Sequence, residues 1–290
     1  MITVENLSFR YGRRRPAVFD DFSLTLGAGR VYGLLGRNGT GKSTLLYLLS
    51  GLLFPQQGAV RFRGADVARR QPEELSEIFL VPEEFSLPNV TLSRYVELNR
   101  PFYPRFSDEL LARCLHDFDL ASDLHLGRLS MGQKKKAFMS FALATGTSLL
   151  LMDEPTNGLD IPSKSQFRRV VSGCMTDERT IVVSTHQVRD VDALLDHVVV
   201  LEGSRVLLDS STADVCARLC FEERPMGAAL GDVLYEQPSM GGHAVVTRNP
   251  GGKETPLNLE LLFNALLAAP ALRDLLAGKS GATDVKPENN

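Results

Sequence analysis

Apolar and polar residues alternate over the first thirty positions. Ile2, Val4 and Leu7, then Val18, Phe22, Leu24 and Leu26, flank the turn-like run Tyr11-Gly12-Arg13-Arg14-Arg15-Pro16. A period of two predicts half-buried strands, and the turn between them predicts an antiparallel ribbon. The pattern then changes: an apolar stretch over 31–35, a glycine-rich loop and a leucine-rich segment over 42–49 read as strand, loop and helix. Between about 73 and 127, Pro82, Pro88, Pro101 and Pro104 punctuate short amphipathic pieces. The clearest runs over 107–120 with Ser107 placed to cap it, so a small helical insertion is expected. Strongly β segments follow at 149–152, 180–184 and 197–201, each preceded by helical sequence, which predicts a mostly parallel sheet. Beyond it come a helix over 211–219, β pieces at 233–235 and 243–247, and a helix over 257–267 with Leu259, Leu262, Phe263, Leu266 and Leu267 on one face. The polar end, 278–290, is expected to be disordered.

In parallel sheets, ligands gather at the carboxyl ends of the strands. The residues that fall there are Gly36 to Thr44, Asp153-Glu154 and Thr185-His186, so a loop, two acids and a histidine should share one edge. Composition is that of a globular protein with a sizeable core, 43% hydrophobic and 23% charged over 290 residues. With 32 basic and 35 acidic residues, the net charge of −3 excludes a basic, nucleic-acid-coating protein. No run reaches the roughly 18 uninterrupted apolar residues of a membrane span. The start, Met1-Ile2-Thr3-Val4-Glu5, has no secretory pattern, so a cytosolic address is expected. Of Cys114, Cys174, Cys216 and Cys220, only the last two are close, at a helical spacing and with no partner for a zinc site. Buried or incidental thiols are expected.

The chemistry is more specific. Gly36-Arg37-Asn38-Gly39-Thr40-Gly41-Lys42-Ser43-Thr44 fits the G-x-x-x-x-G-K-[ST] phosphate loop in full, in the right strand and helix context. Its glycines let backbone N–H groups surround a β-phosphate, the helix start adds positive potential, and Lys42 reaches the β- and γ-phosphates. Ser43 would hold Mg²⁺ through its hydroxyl. Leu149-Leu150-Leu151-Met152-Asp153-Glu154 is a Walker B pattern with a second acid. Asp153 would belong to the Mg²⁺ shell and Glu154 would polarise the water that attacks the γ-phosphate, which favours hydrolysis over transfer to a metabolite.

Leu129-Ser130-Met131-Gly132-Gln133, followed by Lys134-Lys135-Lys136, sits about twenty residues ahead of Asp153 and resembles the LSGGQ signature of ATP-binding cassette (ABC) ATPases. Asn157-Gly158-Leu159-Asp160 resembles the D-loop, Thr185-His186 the switch-histidine segment, and Tyr11 the aromatic that stacks on adenine. The resemblance spans roughly 1–219. It implies an α/β P-loop NTPase (RecA-like) with an amino-terminal antiparallel β subdomain and a helical subdomain at about 84–148. The cassette would occupy 1–220 and a small α+β appendage 221–277. ATP and Mg²⁺ are the implied ligands, in a head-to-tail homodimer or heterodimer. There Ser130, Met131, Gly132 and Gln133 act on the partner's ATP. Bottom-up, Ser130 and the N–H groups near Gly132 begin a helix and so offer donors to a γ-phosphate. His186 should face that phosphate and hydrogen-bond its developing charge. A separate multi-span permease is implied, with this chain cytoplasmic and peripheral on the inner face of the membrane. The short insertion, the lysine-rich signature helix and the short lobe resemble ATPases of bacterial two-component exporters, implying export.

The chain departs from the family in three places. Where the family has a glutamine about forty residues after the phosphate loop, this chain has Glu83. A carboxylate accepts but does not donate, so Glu83 is expected as a Mg²⁺ ligand or its water-mediated partner, with altered coupling to the membrane subunit. Met131 replaces a glycine, and its side chain should project from the helix start without blocking the phosphate. The lysines 134–136 are expected to form a solvated face. The alternative, a soluble ABC ATPase acting on nucleic acid or ribosomes, lacks the second cassette, zinc module or coiled coil of such relatives. No nucleic acid is therefore expected as a partner. A P-loop kinase or GTPase fails on the signature and on the missing N-K-x-D motif.

Overall fold

The alternation near the amino terminus becomes paired strands. β1 (Ile2–Phe9) buries Ile2, Val4, Leu7 and Phe9 and runs antiparallel to β2 (Phe19–Leu26), with Ile2 opposite Leu26 and Phe9 opposite Phe19. The register shifts between Val4 and Leu7, where the apolar spacing lengthens from two to three. β3 (Val31–Gly36) is buried throughout and leads through the glycine loop into α1 (Lys42–Leu49). The computed structural model describes residues 1–276; the tail expected at 278–290 lies outside them.

Two strands that the hydrophobic pattern did not reveal, β4 (Gln57–Phe62) and β5 (Ala65–Asp66), complete a four-stranded antiparallel sheet of order β2-β1-β4-β5. Short α2 (Pro72–Leu75) then precedes β6 (Ile78–Val81). The insertion is helical as expected: α3 (Leu92–Asn99), α4 (Asp108–Asp117) and α5 (Met131–Ala144). Thr91, Ser107 and Ser130 cap them through side-chain oxygens, each occupying a backbone donor that the helix cannot satisfy itself. β7 (Leu149–Asp153), α6 (Ile161–Gly173), β8 (Thr180–Thr185) and β9 (His197–Glu202) follow, and β10 (Arg205–Ser211) is the edge strand beside β9. The second sheet has the order β10-β9-β3-β8-β7-β6, with β9, β3, β8, β7 and β6 parallel. Leu45, Leu46, Leu48 and Leu49 of α1 share one buried cluster with Ile2 and Phe22 of the first sheet and Leu34 and Leu151 of the second.

The chain divides into two compact units between Val206 and Leu207, ahead of the boundary expected after 220. The second unit therefore takes α7 (Thr212–Arg218), which runs directly into β11 (Leu219–Pro225). With β12 (Val233–Ser239) and β13 (Gly242–Arg248) this forms a sheet of order β11-β13-β12, a strand more than the sequence pattern indicated. Asn258 caps α8 (Leu259–Ala268), and α9 (Pro270–Leu276) starts on a proline.

All four thiols are free and three of them are buried, as expected, but the close pair is not the one near in sequence. Cys216 lies in α7 and Cys220 in β11, whereas Cys114 of α4 and Cys174, just after α6, bring their sulfurs to 3.7 Å in a buried seam. Proximity across sixty residues leaves no local pattern to read. The Cys114 thiol and the Arg113 guanidinium both face Cys174 and pull its pKa down to about 7, while the same contact and burial push Cys114 up.

Arg179, 4% exposed, braces the same region by donating to the backbone oxygens of Thr147 (3.0 Å), Cys174 (3.2 Å) and Leu143 (2.8 Å). Removing it strands the Thr147 and Cys174 carbonyls and takes one donor from that of Leu143, which keeps the Gly146 N–H at 3.4 Å. Arg179→Met should lower the unfolding free energy by about 3 kcal/mol, read from the urea midpoint at unchanged slope.

Candidate functional site

The phosphate loop is held open by its own backbone. Gly41 has φ 94°, and a Cβ there would stand 2.8 Å from both Val18 and Phe19, so the position needs glycine for conformation and for space. Lys42, 6% exposed, folds its ammonium back onto the carbonyl oxygens of Gly36 (2.8 Å) and Arg37 (3.2 Å). Thr40 Oγ1 donates to the Arg37 carbonyl at 2.8 Å. Arg37 and Thr40 thus shape the loop from within. Unlike α3 to α8, α1 begins with no side-chain cap: its amino end rests on Gly41 alone. Uncapped donors beside a buried ammonium are what a phosphate would complete.

These groups line a cleft of about 450 Å³ with Tyr11, Asn38, Glu83, Glu154 and His186. Tyr11 is 55% exposed, with its ring perpendicular to that of Phe9 and its hydroxyl 3.0 Å from Thr44 Oγ1, and the exposure leaves ring surface for a base to stack on. Asp153 ends β7 at 3% exposure and accepts from Ser184 Oγ at 2.9 Å. Burial pushes its pKa above the usual carboxylate range, against hydrogen bonds from Ser43 and Ser184. Lys42 is pushed down by burial and drawn back up by Glu154, Asp153 and Glu83.

Glu154 adopts left-handed φ of 44°, unusual for a residue with a side chain. It is clasped from all sides: its N–H donates to the Ser184 carbonyl (2.8 Å), and Thr185 Oγ1 donates to Oε2 (3.0 Å). Oε1 accepts from the His186 N–H (2.9 Å) and lies 2.7 Å from His186 Nδ1. A carboxylate only accepts, so the Nδ1 nitrogen carries the proton. His186 therefore touches Glu154 as well as facing the cleft.

The signature residues and Asp160 lie outside the lining of this cleft, whereas Glu83 belongs to it. Ser130 caps α5 in a capping box with Gln133, its Oγ accepting from the Gln133 N–H (3.3 Å) while Gln133 Oε1 accepts from the Ser130 N–H (3.0 Å). Met131 projects outward at 63% exposure, and Gly132 has open space around it. Asp160 caps α6, accepting from the Ser163 N–H at 2.9 Å. Glu83 accepts from Asn157 Nδ2 at 2.9 Å. The lysines are not a solvated face. Lys135 is 5% exposed and Lys136 donates to the Phe118 carbonyl (3.0 Å) and Gln166 Oε1 (3.1 Å), because this side of α5 turns inward. The functional residue that sequence reasoning missed is Ser184, which orients Asp153, together with the contact of Thr185 on Glu154; the position of both at the end of β8 was the available signal.

An isosteric amide at Asp153 would keep the Ser184 contact and shed a buried charge. Asp153→Asn should raise the melting temperature of the nucleotide-free protein by a few degrees while abolishing ATP hydrolysis, read by thermal scanning beside a phosphate-release assay.

The sequence profile of the ABC transporter family matches residues 19–157. The ABC transporter ATP-binding protein NatA of Bacillus subtilis (strain 168) is 30% identical over 218 residues, which cover 71% of this chain and 88% of NatA. The manganese transport system ATP-binding protein MntA of Synechocystis is 31% identical over 212 residues, 69% of this chain and 80% of MntA. Among solved structures, an ATP-binding subunit of an ABC transporter superposes with a TM-score of 0.65 at 25% identity, covering 74% of this chain and 91% of that one. With the phosphate loop, the paired acids and these relatives in hand, the chain belongs to the ABC transporter ATP-binding proteins and is an ABC-type ATPase.

Proposed function

We propose that this chain powers a separate membrane subunit, closing head to tail on a second ATPase subunit around ATP and reopening after hydrolysis. The observation that carries this reading is the split of the site. The cleft is lined by residues of the phosphate loop, Glu83, Glu154 and His186, while Ser130 and Gly132 stand outside its lining on another helix start. A second copy would bring the signature to the open side of the cleft. Ser43 and Asp153 would hold Mg²⁺, and a hard cation there would relieve the burial penalty on Asp153. Bound there, it would shield charge on the β- and γ-phosphates.

The hydrolytic step follows from the residues. Water attacks the γ-phosphorus, its proton passes to a Glu154 oxygen, and ADP leaves with the terminal bridging oxygen. Both Glu154 oxygens accept hydrogen bonds from Thr185 and His186. The carboxylate becomes available as the imidazole turns to the γ-phosphate, which couples hydrolysis to closure.

Among the described residues, no helix is long and apolar enough to cross a membrane. A groove of about 840 Å³ lined by Leu52, Leu75, Phe79, Phe102 and Tyr103, with Phe102 67% exposed, supports docking by a helical segment of the membrane subunit. Peripheral attachment to the inner membrane face follows from that partner. Export is the direction supported by the compact insertion; the lysines of α5 no longer count toward it, since two of them are structural.

Glu154→Gln should bind ATP, lose hydrolysis by at least about a hundredfold, and elute as a dimer with ATP on size-exclusion chromatography. A variant that stays monomeric, or turns over normally, would defeat the sandwich. For the membrane partner, Phe102→Glu should reduce recovery of a multi-span protein in pull-downs from native membranes while leaving the ATP-trapped dimer of Glu154→Gln intact.

A further inference from the structure

Two departures from the family pattern meet in space. Glu83 follows β6, and Lys135 lies in the second turn of α5, 52 positions later. Between them stands Asn157, in the loop after β7. Asn157 Nδ2 donates to Glu83 Oε1 at 2.9 Å, and the carbonyl oxygen of the same asparagine accepts from Lys135 Nζ at 2.8 Å. The Lys135 ammonium also donates to the Glu154 carbonyl oxygen at 2.9 Å.

Lys135 is a buried cation whose hydrogen-bonding partners here are two neutral carbonyls. A buried ammonium so placed needs negative charge nearby. Three carboxylates supply it: Glu83 exerts the largest pull, ahead of Glu154 and Asp153, and together they work against the burial that depresses the lysine's pKa. Conversely, Glu83 brings negative charge to a cleft that must receive a triphosphate, and Lys135 is a cation within its reach that is not spent on the phosphate loop. The charge of Glu83, itself exposed at the cleft, helps make the buried lysine tolerable, and Asn157 ties the two by one donor and one acceptor.

The geometry also fixes a backbone. Lys135 binds the carbonyls at both ends of the turn from Glu154 to Asn157, which is closed by the Asn157 N–H on the Glu154 carbonyl at 3.2 Å. That turn starts at the left-handed Glu154, whose φ sets the direction of its carboxylate.

We infer that Lys135 is a positioning residue for hydrolysis and that it forms with Glu83, through Asn157, a matched charge pair that holds the Glu154 turn in its working conformation. The inference rests on Glu154 being the carboxylate that activates water. Lys135 acts on the backbone of Glu154 and Glu83 acts through Asn157, so the pair sets turnover more than ATP affinity.

The test is a mutant cycle on the full chain, with ATPase kcat, KM for MgATP and melting temperature measured for each variant. Glu83→Gln and Lys135→Gln should each lower kcat about tenfold or more with KM changed less than about threefold. Glu83→Gln/Lys135→Gln, which removes both charges, should return kcat to within about threefold of the parent. Losses that multiply in the double variant would overturn the inference, as would single variants that melt earlier at unchanged kcat. If Lys135→Gln does not fold, Asn157→Ala decides: it should lower kcat as Glu83→Gln does, and combining the two should cost nothing further, whereas multiplying losses overturn the bridge. Glu154→Gln runs alongside. Normal hydrolysis in that variant would remove the role given to Glu154, while its loss together with a multiplicative cycle would leave that role standing and defeat the charge pair alone.

Discussion

Charge balance at the carboxyl edge of the parallel sheet governs the arrangement of this protein. Asp153 ends β7 and Glu154 follows it, both nearly out of water; Glu83 lines the cleft from the exposed segment after β6, and an ATPase must bring a triphosphate to them. Like charges at such range repel strongly where solvent is scarce. The fold answers with cations buried in the opposite sense: Lys42 curled onto loop carbonyls, Lys135 beneath the Glu154 turn, and an α1 amino end left bare of any cap. The sheet order, the glycine loop and the inward turn of α5 all serve to bring those groups within range.

Much of this was legible beforehand because the determining signals are local. The phosphate loop, the strand that ends in two acids and the capped start of α5 are short patterns with one physical meaning each, and they reappear at 36–44, 149–154 and 130–133. Long-range features were not legible. β4 and β5 join the first sheet by pairing with β1 and with each other, and β11 pairs with β13 twenty-odd residues away; none carries a clean period of two. The lysine run failed for another reason. Three like charges in sequence look solvated, yet successive residues on a helix point in different directions, and one of the three faces the interior. Its burial depends on carbonyls from the loop after β7, which no window on α5 contains.

The same distinction explains the reading of Glu83. By sequence alone it is a substitution in a known motif, weighed for what a carboxylate does to a metal. In the structure its oxygen is engaged by Asn157, so the residue belongs to the loop that carries Glu154 as much as to the cleft. Substituted motif positions gain meaning from what compensates them.

The crowding of Gly41 by Val18 and Phe19 reaches beyond the loop itself. Phe19 is fully buried, opens β2 and packs on Phe22, so the first sheet presses its core directly against the pivot of the phosphate loop. The loop and the ribbon behave as one mechanical part: a swing at Gly41 toward the ribbon must displace an aromatic ring from the hydrophobic interior. The phosphate cradle is therefore stiff by construction, its shape set by close packing rather than by the ligand that fills it.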